Sequence, residues 1–187
     1  MNTTKINPVS LFLMVILSLI TRNVYPQPEK LSRKEKAELR RGELIINYQV
    51  LDTLLEGRKF ILEADFLNDK YGNRIYVTPM LNFIKIDSLN AVLQIGSTSG
   101  LGYNGVGGIT AEGSLKDWKL VKKPKELSYY LQFSTITNIG VYDISMTVNA
   151  DNYARATISG LRGGTLIYEG HLQTLRNSSA FKGQNSY

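Results

Sequence analysis

Several groups of side chains in this 187-residue chain have the types and spacing that chemistry needs. Glu169 and His171 stand two apart, so on a β-strand they share a face, and a carboxylate beside an imidazole can work as an acid–base pair. Glu63 and Asp65 repeat that spacing with two carboxylates, the donor types of glycoside hydrolysis or of a calcium site. Lys116, Lys119, Lys122, Lys123 and Lys125 surround Trp118, with Tyr129 and Tyr130 close by in sequence. Cations interleaved with aromatics suit acidic glycans or single-stranded nucleic acid. Gly100-Leu-Gly-Tyr-Asn-Gly105 matches, letter for letter, the glycine pattern of a dinucleotide-binding turn.

Each grouping has a plainer reading that the surrounding sequence favours. No nucleophile of known spacing completes a triad with His171, and paired polar residues are ordinary on the solvent face of a strand. The glycine pattern needs a helix after it to hold a pyrophosphate, whereas Val106-Gly-Gly-Ile-Thr110 leads into another strand. Lysines on hairpin strands guard against edge-to-edge pairing. No catalytic residue, metal ligand or cofactor is therefore expected. The Gly-rich loop 97–108 is the first place to look for ligand contact, with Tyr103 and Asn104 as the candidates, because long connections of this kind often bind.

Composition narrows the field further. The chain has no cysteine and one histidine, which excludes thiolate nucleophiles, disulfide scaffolds, cysteine zinc sites and any site needing two imidazoles from one chain. Its formal charge is +6, falling to +4 over residues 28–187, since Lys5 and Arg22 lie upstream with no acid. The apolar run Val9–Ile20 is too short to cross a bilayer comfortably but has the length of a secretory core segment. Residues 1–27 are thus expected to be a signal peptide, with an uncleaved N-terminal anchor as the alternative; the product is periplasmic or secreted, with no stable membrane span after cleavage. Export also argues against nucleic acid as a partner.

The elements that must position these groups follow from periodicity. Ser32 followed by Glu35 is a capping box, and Gly57 a stop, so Leu31–Gly57 is expected to be helical. Leu39, Ile46, Val50 and Leu54, widened by Leu44, Ile45, Leu51 and Leu55, form the stripe expected to pack. After Gly57 the period becomes two, as in Phe60, Leu62, Ala64 and Phe66, or Tyr142, Ile144, Met146 and Val148. Short turns separate the strands, so neighbours should be antiparallel. Small residues at presumed inward positions, Ala64, Ala111, Gly113, Ala154, Ala156 and Gly170, leave space for a helix laid across the sheet or for an apolar ligand in a half-barrel.

On Phe60–Asp65, Asn82–Gly96, Gly105–Gly113, Ala154–Ile158 and Leu166–His171, in that order and spacing, the chain resembles the exported bacterial proteins of domain of unknown function 4251. The resemblance covers nearly all of residues 28–187 and implies an antiparallel domain preceded by a helix, in the envelope of Gram-negative bacteria. It implies no catalytic residues. Many members resemble lipoproteins, and this chain departs from them in having no cysteine to acylate. The expected fold is α+β: an N-terminal helix packed on a curved, mainly antiparallel β-sheet or half-barrel of about 8–10 strands. The expected organisation is 1–27 signal peptide, 28–176 single α+β domain and 177–187 flexible tail. The expected function is that of a non-enzymatic binding or envelope-interaction module, its partner an envelope component or a small apolar ligand. The rival is an enzyme or enzyme inhibitor using the Gly-rich loop 97–108 and the outer polar sheet face.

Overall fold

The computed structural model describes residues 31–96, 107–161 and 164–186. Two units are distinguished, Met1–Leu39 and Arg40–Tyr187. In the first, the capping box forms as the sequence requires. The Ser32 amide donates to Glu35 Oε2 at 2.7 Å and the Glu35 amide to Ser32 Oγ at 3.2 Å. The Ser32 amide first, and then the Ser32 hydroxyl, favour the ionised carboxylate and hold Glu35 below its ordinary range. Helix α1 spans Arg33–Glu56. The left-handed residue that ends it is Arg58, at φ 49°, one position beyond the expected glycine stop.

Among the described residues nine strands follow: β1 (Lys59–Asp69), β2 (Arg74–Tyr76), β3 (Phe83–Asp87), β4 (Asn90–Ile95), β5 (Ile109–Lys123), β6 (Ser128–Thr137), β7 (Gly140–Asn149), β8 (Tyr153–Leu161) and β9 (Gly164–Gln173). Every pairing is antiparallel. The first strand closes the sheet on itself. One edge of β1 pairs with β3 over Lys59–Glu63 and with the short β2 over Phe66–Asn68, while its other edge pairs with β9 from Ile61↔Gln173 to Asp69↔Leu166. Eight strands thereby form a closed barrel, with β2 as an appendage.

Closure explains the small residues. Ala64, Gly170 and Ala154 lie side by side across β1, β9 and β8, and a Cβ on Gly170 would run into the Glu63 carbonyl. Gly113 meets the Ile136 carbonyl on β6 in the same way. The strands can bend this tightly only where no side chain intervenes. Phe60, Tyr129, Phe133, Tyr142 and Tyr168 fill the interior, with Leu62, Ile84, Leu131, Ile144, Met146 and Ile158. The Tyr168 hydroxyl crosses the barrel to donate to the Gln94 carbonyl at 2.9 Å, and burial pushes its pKa up.

Only the last turns of α1 seat on the barrel. Leu51 and Leu55 are buried in its core, Tyr48 stacks on Tyr129 with ring centroids 4.4 Å apart, and the Tyr129 hydroxyl donates to the Tyr48 carbonyl at 2.7 Å. The expected stripe is therefore corrected: Ile46 and Val50 are 61% and 55% exposed, and Leu39 is exposed as well. Within the expected stripe Leu51 and Leu55 are the residues that seat, with Leu54 packed beside them, and Tyr48 joins them from outside it. Among the described residues no helix is long and apolar enough to cross a membrane.

Candidate functional site

The barrel interior holds almost no space. A cavity of about 10 Å³ remains between Leu93, Ile95, Ile109, Ala111, Tyr142, Ile158 and Tyr168. One water needs roughly 10–15 Å³, and a cavity that binds benzene is about 150 Å³. The space expected beside the small inward residues is taken by aromatic rings and by the helix leucines.

A larger concavity lies outside, on β5 to β8. It measures about 410 Å³ and is lined by Asp117, Lys119, Gln132, Ser134, Asp143, Ser145, Thr157 and Ser159, with Phe133 and Ile144. Its origin is a register break: β5 pairs with β6 up to Lys116↔Ser134 and resumes at Lys119↔Gln132. The bulged residues take opposite sides. Trp118 packs on the core, its ring stacked on Phe133 at 5.7 Å, tilted against Phe60 at 6.4 Å and covered by the Arg58 guanidinium at 5.0 Å. Asp117, at φ 53°, lines the groove instead. The remaining lining comes from outward positions of the strands, where Gln132 and Ser134, Asp143 and Ser145, and Thr157 and Ser159 alternate with core residues. Ser134 Oγ donates to Asp143 Oδ1 at 2.8 Å, which fixes the carboxylate and leaves its second oxygen to accept.

The residues singled out in the sequence are distributed differently. Glu169 and His171 do not form a pair. Glu169 is 5% exposed and is clasped by Arg74 at 2.9 Å and by Arg155. His171 Nδ1 meets Asp65 Oδ2 at 3.1 Å, with the Tyr153 ring edge-on at 6.2 Å. Burial, reinforced by the Glu169 charge, raises the Tyr153 pKa. The expectation of two solvated residues is thus corrected at Glu169, which two guanidiniums bury. The acidic pair separates too. A bulge between Ala64 and Phe66 breaks the alternation, so Asp65 serves His171 while Glu63 Oε1 accepts from Ser178 Oγ at 2.6 Å and the Ser179 amide at 2.8 Å. No three or more His, Asp or Glu side chains among the described residues group so as to hold a metal ion.

The lysine cluster divides likewise. Lys122 bridges Asp52 at 2.8 Å and Glu56 at 3.0 Å on α1, and Lys123 pairs with Glu126 at 3.3 Å. Lys119 alone lines the groove. Tyr103 and Asn104 lie outside the described residues. The strands flanking them, β4 and β5, are antiparallel neighbours paired at Ile95↔Ile109. Residues 177–186, expected to be loose, are hydrogen-bonded to the sheet. Missing periodicity reports the lack of a regular element, not a lack of partners.

Comparison with known proteins places this architecture. The family model "Domain of unknown function (DUF4251)" matches residues 45–172. The chain belongs to the DUF4251 family. The crystal structure of a DUF4251 protein from Bacteroides eggerthii is similar, with 28% identity and a TM-score of 0.60, over 72% of this chain and 91% of that one. No curated protein matches the chain. The match spans the barrel from the middle of α1 to Leu172 on β9, and so includes the whole groove.

The groove was missed in the sequence because its residues are individually unremarkable. The available signal was the run of small polar outward positions on β6, β7 and β8, where a solvated strand more often carries Lys or Glu, together with the slip in alternation at Asp117-Trp118.

Proposed function

We propose that this DUF4251 chain is an exported, non-enzymatic binding module that engages a polyhydroxylated envelope component in the polar groove on β5 to β8. One observation carries the reading: the interior is full, while an outer concavity of about 410 Å³ gathers hydroxyl, amide and carboxylate groups. That volume falls within the range of ligand sites, roughly 300–1,000 Å³. Ser134, Ser145, Thr157 and Ser159 each donate and accept, Gln132 does both through its amide, and Asp117, Asp143 and Lys119 supply charged ends. Such a lining matches the alternating donors and acceptors of a sugar ring better than it matches an apolar or a strongly anionic ligand. The leader-like segment Val9–Ile20 supports export, and an envelope polysaccharide is what an exported module meets.

The non-enzymatic part rests on how the titratable groups are used. Glu169 is committed to Arg74 and Arg155, His171 to Asp65, and Glu63 to Ser178 and Ser179. These contacts commit all three groups to structure and away from the groove, where Asp143 is held by Ser134.

Calorimetric titration with soluble peptidoglycan fragments and with deacylated lipopolysaccharide tests the reading. Saturable binding to one of them, weakened about tenfold by Asp143→Ala, is expected, since a hydrogen bond to a charged group is worth about 1.5–3 kcal/mol. Binding indifferent to Asp143→Ala and Thr157→Ala, or no binding to either probe, overturns it.

A further inference from the structure

The opposite outer face, formed by β1, β3, β4 and β5, is occupied by the chain's own segment 177–186. Its floor is apolar: Ile61, Phe83 and Val92 are buried, with Leu175 and Ala180 packed on them. At its centre Gln94 is fully buried and reads main chain in both directions. Its Nε2 donates to the Phe181 carbonyl at 2.8 Å, and its Oε1 accepts from the Gly183 amide at 2.8 Å. Further along, the Ser186 amide donates to the Thr110 carbonyl at 2.9 Å and the Thr110 amide to Ser186 Oγ at 3.1 Å. Acids mark the two ends of the groove. Glu63 takes Ser178 and Ser179, while Glu112 takes Lys182 and, at 3.0 Å, Asn185.

Two features separate this occupant from the barrel it covers. The family match ends at Leu172, so Ile61, Phe83, Val92, Gln94 and Glu112 lie inside the matched domain and the covering segment lies outside it. The segment also has no strand or helix of its own; it is attached by two main-chain bonds, from the Phe181 amide to the Met80 carbonyl and from the Ser186 amide to the Thr110 carbonyl, and by side chains of the face that grip its backbone, as in peptide recognition. We propose that this face is a peptide-binding groove for an extended Ser-Ser-Ala-x-Lys-Gly-x-Asn-Ser segment, filled in cis here, and that in trans it takes residues 177–186 of a second copy of this chain. The second copy is the occupant of choice because Gln94, Thr110 and Glu112 are all engaged by this sequence, the Glu112–Lys182 charge pair included.

The test uses the whole chain with a protease recognition sequence inserted between Arg176 and Asn177, cut only after folding. A fluorescein-labelled peptide of residues 177–186 is then titrated and followed by anisotropy, and the uncut chain is followed by native mass spectrometry across concentration. The labelled peptide should replace the cut segment at one per barrel, a scrambled peptide should not, and Gln94→Leu should weaken uptake at least tenfold; the uncut chain should form dimers as concentration rises. A cut segment that never exchanges, or a scrambled peptide that binds equally, overturns the groove. Uptake of the peptide by cut barrels together with an uncut chain that stays monomeric at every concentration overturns the second copy as occupant.

Discussion

The two outer faces of this barrel lie on different strands that meet at β5, and they differ in what covers them. On β1, β3, β4 and β5 the outward positions carry Ile61, Phe83, Val92 and the buried Gln94, and a segment of the same chain lies over them. On β6 to β8 they carry Gln132, Ser134, Asp143, Ser145, Thr157 and Ser159, and a groove stands open. Strand alternation supplies an outward row in both cases; the residue types on that row decide its fate. Apolar outward residues must be covered to leave water, whereas small polar ones can remain wet until a ligand replaces the water. β5 is the divide, since its first half pairs with β4 under the covering segment and its second half, beyond the bulge, borders the groove.

Perturbing the shared interior should affect both faces alike. Leu55→Ala removes a fully buried side chain at the helix seat and is expected to cost about 2–5 kcal/mol. Ala156→Leu overpacks a barrel with little free space and should cost about 1–3 kcal/mol. Denaturant unfolding measures both losses, and amide exchange should rise on the two faces together. Exchange rising on one face only would show that the faces are stabilised separately.

Perturbing one face should leave the other alone. Gln94→Leu strips partners from the Phe181 carbonyl, the Gly183 amide and the Thr110 hydroxyl, and is expected to cost about 1–3 kcal/mol. Its signature is faster amide exchange at Phe181, Gly183 and Ser186 with unchanged rates at Ser134 and Thr157. Acid should act more gently on the same face. Lys182 first, then Asn185, hold the Glu112 carboxyl below its ordinary range by hydrogen bonding, and Lys85 adds positive charge. A lowered folded pKa means that the contact contributes fully above the ordinary glutamate value and fades as pH falls through the lowered one. Loosening of residues 182–186 should therefore begin only below about pH 4, followed by the chemical shifts of the Lys182 and Asn185 side chains; loosening that begins near neutrality would assign the contact to another group.

How much of this the sequence disclosed depends on the range of the interaction. The capping box at Ser32 and Glu35 and the alternation on β7 are local, and each appears in the structure close to where the sequence placed it. The alternation slips within β5 at Asp117-Trp118, yet the strand runs on to Lys123, because Asp117 absorbs the slip at a left-handed angle. Closure of β1 on β9 joins residues about a hundred positions apart, and nothing local to either strand announces it; the small residues at Ala64, Ala154 and Gly170 marked the seam without naming its partners. The groove shows the same limit, since Ser134, Asp143 and Thr157 belong to separate strands and become a site only once the sheet sets them side by side. Glu169 looked solvated because its partner Arg74 sits far away in sequence, on the appended strand.

The most direct measurement is a backbone amide chemical-shift map of the folded chain during titration with soluble peptidoglycan fragments and deacylated lipopolysaccharide. Ligand recognition in the outer groove should move Lys119, Gln132, Ser134, Asp143 and Thr157 together and leave Leu93, Ile158 and Tyr168 in place. Shifts centred on Leu93, Ile158 and Tyr168, or none at the groove with either probe at saturating concentration, would refute a recognition site on the outside of the barrel.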